Sequence, residues 1–422
     1  MKQKNDPAQA INDNKPVDQK KLILRFAAFV IALSVGVAAV IIGISSANRL
    51  EEGLQTVEAE LDKDLPLFQS GISFRHWFSG SSQEIRLGLK ELNGAYSDAL
   101  KDAHRLLDPE QLYEGWVNLA TLNQNQGREI VVSAELYGIL RQADDFTRRG
   151  TVYNVFAGAL YAEWESLRYQ LEPADTDPAS DPEEARRLEL LTAATRDLSN
   201  FSLEFLDDAR CALRFTVSQS YLKLLDELEL NEAPILDLNV LYDAFKLQLT
   251  AERLGQRGYD RGYLSTESGL TLTLSAYRDG GSYALYGPGE TEALPAAGRP
   301  VTGGSCAAFL RAFALEDEAG YYSVTRAGES LLRHPWLPAD GDYREVLLSA
   351  LVVGEGKSLP ETCYACLSLY AADSPAAAKE AAGALNGFET ALLLREAPKT
   401  VFVTDEAILP DTANGYAAEP IS

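Results

Sequence analysis

Methionine occurs once, histidine three times, and tryptophan and cysteine four times each in 422 residues. The three histidines, His76, His104 and His334, are too scattered for a multi-histidine metal centre. Cys211, Cys306, Cys363 and Cys366 are too few to staple a chain of this length, so a hydrophobic core must hold the fold. Basic charge is also short, with 38 Lys and Arg against 62 Asp and Glu, a net of −24. Through residue 49 the balance reverses to seven basic against three acidic residues, which leaves −28 on the remainder. A body so anionic repels phosphate backbones and anionic headgroups, and this excludes nucleic acid as a partner. Long apolar runs are missing too, with one exception.

That exception is FAAFVIALSVGVAAVIIGIS, Phe26 to Ser45, twenty residues without a charge. As a helix it spans roughly 30 Å, the thickness of a bilayer's hydrocarbon core. Lys15, Lys20, Lys21 and Arg25 precede it, while Arg49, Glu51 and Glu52 follow. The positive-inside rule then puts the N-terminus in the cytoplasm and the body outside the cell membrane. Residues 1–21 read as a cytoplasmic tail and 22–45 as an uncleaved, single-pass transmembrane helix. Ser45 and Ala47 also make a small-residue cleavage site, although the apolar run exceeds a usual signal-peptide core.

The body has 19 Tyr and 15 Phe with which to build a core. Helical spacing of apolar residues predicts a juxtamembrane helical region over 46–84. It also predicts a helix from Ile85 through HRLL, and another over Val132–Asp144 capped by Ser133. Glu172 to Glu184 is an acidic, proline-containing surface loop. LEFLDDARCALRFTV reads as strand, and TLTLSAY with GSYALYG as a hairpin over Asp279, Gly280 and Gly281. VLLSALVV reads as a central strand, Ala376–Leu385 as a helix and KTVFVTD as a closing strand. Hairpins mixed with helices predict an α+β body of one large domain at 85–405, with a C-terminal tail at 406–422.

The order of these segments resembles the FAD:protein FMN transferase (ApbE-like) family. LATLNQNQGREIVVSAELYGILRQA is similar to the family's Leu-Asn passage and the helix after it. YNVFAGALYAEW keeps that family's Gly158, Leu160 and Trp164, and PILDLNVLYDAFKLQLTAERLGQRGY keeps Leu236, Asp237 and Leu238 of LDLGGIAKGYA. In the same passage Leu241 takes the place of the alanine whose carbonyl contacts the metal, and Tyr242 replaces the lysine. VTGGSC resembles A-T-S-G-D, with Thr302 kept and Gly303 and Gly304 following. RHPWLPADG resembles H-I-x-D-P-x-T-G and keeps His334, Pro338 and Gly341, while Leu337 and Asp340 stand where aspartate and threonine belong. ETCYACLSLYA resembles A-D-A-L-x-T-A-L-F, with Thr362 and Cys366 in place of the aspartate and threonine that bind Mg2+. Glu361 lies one residue off register, about 100° around a helix.

The resemblance implies a large ApbE-like ectodomain, FAD and Mg2+ as cofactors, and a protein acceptor that becomes flavinylated. It makes Thr302, Gly303, Gly304, His334 and Tyr242 the cofactor-binding candidates and His334 the catalytic candidate. Leu241, Thr362 and Cys366 hold the metal positions, with Glu361 as a substitute. Mg2+ wants hard oxygen ligands, which a Thr/Cys pair supplies poorly. Two readings follow: a membrane-anchored FMN transferase, or a catalytically dead pseudoenzyme that binds flavin or assembles an extracytoplasmic redox system. Cys363-x-x-Cys366 is open to a redox role, a disulfide or simple packing. Thr302–Gly304 is either a phosphate-binding turn or a plain one, and His334 either a pocket or a surface-turn residue. Tyr321 and Tyr322 fit a strand better than a flavin-stacking platform.

Deleting residues 1–45 is expected to move the expressed chain from the carbonate-washed membrane pellet to the soluble fraction. A full-length chain that carbonate releases from the pellet would overturn the anchor.

Overall fold

A computed structural model describes residues 50–60, 62–65, 71–150, 152–168, 181–289, 292–313, 323–326, 329–332 and 346–421. The helices among them are α1 (Ser82–Leu107), α2 (Leu119–Gln124), α3 (Ala134–Arg149), α4 (Gly158–Arg168) and α5 (Pro182–Arg196). They continue with α6 (Gln219–Glu227), α7 (Tyr242–Gln256), α8 (Leu359–Leu369) and α9 (Pro375–Ala384). The strands begin with β1 (Gly53–Val57), β2 (Ile72–Phe78), β3 (Glu129–Val131), β4 (Phe201–Asp207), β5 (Ala212–Val217) and β6 (Gly262–Thr266). Next come β7 (Leu270–Thr273), β8 (Ser282–Gly287), β9 (Leu294–Pro300), β10 (Ser305–Arg311), β11 (Ser323–Arg326) and β12 (Glu329–Leu332). The last are β13 (Leu347–Glu355), β14 (Phe388–Leu394), β15 (Ala397–Val403), β16 (Leu409–Pro410) and β17 (Ala417–Pro420).

One sheet dominates, in the order β1-β2-β6-β7-β10-β13-β14-β15-β17, antiparallel except for the final β15–β17 pair. Strand β13 lies inside it with its first eight residues buried. Successive side chains of a strand point to opposite faces, so an unbroken apolar run needs cover on both. Ala350 and Val352 enter one core, while Leu351 and Val353 enter another. On the first face α8 packs across β10 and β13, with α7 beside it against β6 and β7. On the second face the small sheet β16-β9-β8 closes over β10 and β13. A third sheet, β3-β5-β4, stands apart, and β11 pairs only with β12.

Local signals set several helix starts. Ser133 Oγ accepts from the Leu136 amide at 3.1 Å. Asp181 caps α5 through the Glu183 amide at 2.8 Å. Each such bond satisfies an amide that the helix cannot use itself.

Contacts divide the chain into residues 1–52 with 79–87, and residues 53–78 with 88–422. Within the first unit the Leu50 amide donates to Ser82 Oγ at 3.0 Å, and Glu84 Oε2 accepts from the Ser81 amide at 2.8 Å. The candidate site belongs wholly to the second unit.

Four expectations change. Part of the segment expected to be a juxtamembrane helix forms β1 and β2, which pair as Gly53↔Phe78 through Val57↔Phe74. Leu54 and Val57 suit a helical face, but on the strand Val57 joins the main core. Residues 406–422 are not a free tail, because β17 pairs with β15 and β16 with β9. The two strands of the expected hairpin exist but do not pair. Strand β7 bonds β6 and β10, and β8 bonds β9. Strand β8 alternates and β7 is mostly buried, and such patterns name a face without naming a neighbour. Of the expected acidic loop, Pro182, Glu183 and Glu184 form the first turn of α5, and residues 172–180 lie outside the described ones. The membrane span 22–45 is also outside them. Among the described residues no helix is long and apolar enough to cross a membrane.

Leu351 is 1% exposed on β13. Leu351→Ala is expected to cost about 2–5 kcal/mol through lost transfer energy and a residual cavity. A lower urea midpoint at unchanged m-value would show it, with Leu409→Ala at an exposed strand position as the near-neutral control.

Candidate functional site

The segment preceding α7 is fixed by two partners. Asn123, from α2, accepts the Leu236 amide at 2.8 Å and donates to the Leu236 carbonyl at 3.0 Å. The Gly158 amide bonds the Ile235 carbonyl at 3.1 Å, and the Asp237 amide bonds the Val155 carbonyl at 2.9 Å. A Cβ on Gly158 would lie 2.4 Å from the Pro234 carbonyl oxygen, so only glycine fits there. The chain then turns through Asn239 at φ +50°, left-handed backbone that asparagine tolerates. Its Nδ2 donates to the Asn154 carbonyl at 3.0 Å. Asparagine thus stands where the family pattern has a glycine, in left-handed backbone.

This junction aims the first turns of α7 into a cleft of about 820 Å³. Its lining includes His104, Asp108, Tyr113, Asp237, Tyr242, Asp243, Lys246 and Glu267. Tyr242, at the family's lysine position, turns its hydroxyl to His104 Nδ1 at 2.7 Å. Burial lowers the His104 pKa, Lys246 lowers it further and Asp108 opposes both, so the ring is neutral near pH 7. Asp108 is committed to the Tyr113 hydroxyl at 2.6 Å and to the Glu110 and Gln111 amides at 2.9 Å.

Sequence reading passed over Lys246, one turn beyond Tyr242 and only 2% exposed. Among the described residues its ammonium has no hydrogen-bond or ion-pair partner, and it sits 5.3 Å from the centroid of the Tyr242 ring. Burial brings its pKa from 10.5 down to about 8, with nearby Asp243 opposing the shift. Burial in turn raises the Asp243 pKa. A signal existed in the sequence. Lys246 lies between Phe245 and Leu247, although its same-face neighbours Tyr242, Asp243, Leu249 and Thr250 mix polar with apolar, so that signal is slight.

The positions that the resemblance marks for metal and phosphate converge where β10 begins and β13 ends. Thr302 Oγ1 donates to Glu355 Oε1 at 2.8 Å, and Glu355 also accepts from Arg299 at 2.7 Å. The Gly304 amide bonds the Leu274 carbonyl at 3.3 Å and the Ser305 amide the Thr302 carbonyl at 3.2 Å. Space beside Gly303 is filled, since an added Cβ would lie 2.2 Å from Arg278 Nη1. The turn is therefore a structural one, with these amides spent internally. Leu241 is fully buried at the start of α7, in a short turn that packs on α8. His334 and its neighbours Leu337, Pro338, Asp340 and Gly341 lie outside the described residues, as do Tyr321 and Tyr322.

The donor set does not fit Mg2+. Thr362 is fully buried, with Oγ1 bonded to the Ser358 carbonyl at 3.0 Å and to Cys306 Sγ at 3.0 Å. Glu361 does not substitute, because its carboxylate accepts the Ser358 amide at 3.1 Å and hydroxyl at 3.0 Å in a capping box. Cys366 lies in the core with its thiol 3.8 Å from the Ala350 carbonyl. Among the described residues no group of three His, Cys, Asp or Glu could hold an ion. A neutral hydroxyl and a buried thiol do not replace two hard oxygens. Cys363 and Cys366 are free and buried, and burial raises both thiols, Cys363 to about 12. They are packing residues rather than a redox pair. The cleft does not suit FAD by charge, since its diphosphate would face Asp108, Asp237, Asp243 and Glu267, and among the described residues Lys246 is the one Lys or Arg on the lining.

No protein-family model matches the chain, and no curated protein does. Solved structures do. The ApbE protein from Thermotoga maritima superposes with a TM-score of 0.52 at 13% identity, covering 82% of this chain and 96% of that one. The flavin transferase ApbE from Vibrio cholerae gives 0.51 at 11% identity, covering 82% and 94%. The described body therefore has the ApbE fold, as the order of segments led us to expect.

The buried ammonium makes a measurable prediction. Well below pH 8 Lys246 is almost wholly protonated in both states, and its burial destabilises the fold in full. Between about 8 and 10.5 the folded chain has released the proton that the unfolded chain keeps, so stability rises with pH. Lys246→Met is accordingly expected to stabilise the protein by on the order of 2–3 kcal/mol near pH 7. That gain should shrink as pH climbs through 8 toward 10.5. Urea midpoints across this range test it, and a Met variant less stable at pH 7 would contradict the account.

Proposed function

We propose that this protein is a membrane-tethered relative of the flavin transferases by fold, in which nucleotide transfer has been lost and the cleft persists as a ligand-binding module. The observation that carries the reading is the state of Thr362 and Cys366. Where the resemblance requires a carboxylate and a hydroxyl around Mg2+, one side chain is saturated by Ser358 and Cys306 and the other is buried in the core. Cleaving a pyrophosphate depends chiefly on neutralising its charge, and no inherited position among the described residues supplies the anion to hold the metal. The acidic cleft works against the same substrate.

The residues 22–45 anchor and the anionic body suit a module held outside the cytoplasm beside redox partners in the membrane. The competing reading, active FMN transfer to a protein acceptor, draws support from the fold and from His334. Fold alone is a weak warrant for chemistry.

The full chain in detergent, given FAD and Mg2+, should release AMP no faster than the protein-free control. Magnesium-dependent AMP release abolished by a chelator would sink the proposal.

A further inference from the structure

Lys246 lacks an explanation as a structural residue. Burying an ammonium is unfavourable unless it is paired, and a long apolar side chain of similar volume would pack there without that penalty. Yet it is only 2% exposed on α7, and it lines the cleft. Polar groups around it come from several segments. Asp243 and Tyr242 share α7, and His104 reaches over from α1, bonded to the Tyr242 hydroxyl. Ser268 bonds Asp243, and Asp237 and Glu267 share the lining. Asp108 stands 3.7 Å behind His104.

We propose that Lys246 captures a carbonyl compound, its ε-amine forming a reversible imine with a small aldehyde or ketone bound in the cleft. The amine lone pair attacks the carbonyl carbon, making a C–N bond, and the carbonyl oxygen takes a proton to give a carbinolamine. Nitrogen then loses its proton, and the hydroxyl departs with one as water, leaving C=N. No oxidant or reductant is consumed. A desolvated lysine is a nucleophile because part of its population is unprotonated at neutral pH. Its free-amine fraction at pH 7 exceeds that of an exposed lysine by on the order of a few hundred-fold. Asp243, whose carboxyl holds its proton more tightly than usual, and the Tyr242–His104 pair can carry protons within the same cleft. The surrounding carboxylates favour a neutral or cationic carbonyl ligand over a phosphorylated one.

This inference rests on the reading of the cleft as a ligand site without metal-dependent transfer. The test incubates the native full chain with pyridoxal at pH 7, reduces with sodium cyanoborohydride and maps the adducts by mass spectrometry. Lys246 should be labelled at least about ten-fold faster than Lys223, an exposed lysine that serves as internal control. The rate should rise with pH with a midpoint near 8, and the phosphate ester of pyridoxal should react more slowly. Lys246→Met should remove this adduct and leave Lys223 labelling unchanged. Mapping on the wild-type chain decides the matter even if the variant fails to fold. Lys246 unlabelled, or labelled no faster than Lys223, overturns the inference. AMP release from FAD would instead overturn the proposed function and leave the adduct result standing.

Discussion

The cleft exists because the carboxamide of Asn123 grips the backbone at Leu236 from both sides, taking its amide and feeding its carbonyl. Two backbone bonds from the Val155–Gly158 stretch hold the same segment, and Gly158 lets the two chains approach. These contacts lie more than a hundred residues apart in sequence on one side, and their joint effect is to fix where α7 begins. Everything lining the cleft from α7 takes its position from that start, Tyr242, Asp243 and Lys246 included. The Asn and Gly that matched the family pattern are thus the residues that build the site, whereas those that departed from it are the residues that would have done its chemistry.

The departures are mutually consistent. Thr362 is satisfied by its own helix and by Cys306, Glu361 by the cap, Cys366 by burial, and the turn at Thr302–Gly304 by its neighbours. A site awaiting a divalent ion would leave oxygens unmatched for it, and here Thr362 is bonded within the protein while Cys366 lies in the core. Buried polar groups must find partners, and here they have found them within the protein. A charge without an ion-pair partner among the described residues sits elsewhere, on Lys246, in the cleft. Residues that violate local packing rules without compensation are where function is expected.

Composition and periodicity by themselves determined the α+β class, a central strand within Val346–Val353 and the Ser133 cap, because each depends on residue type or on spacing along one element, while the poverty of the metal positions followed from the resemblance. The order of segments was enough to place the body in its fold. Tertiary structure alone decided which strands pair, that β1, β2 and β17 belong to the main sheet, and that Glu361 caps its own helix instead of reaching toward a metal. Those outcomes turn on contacts between residues distant in sequence, and alternation along a strand specifies only which face is buried. Lys246 shows the same division: its lysine is plain in the sequence, but its lack of a partner is a property of the space that α1 and α7 enclose.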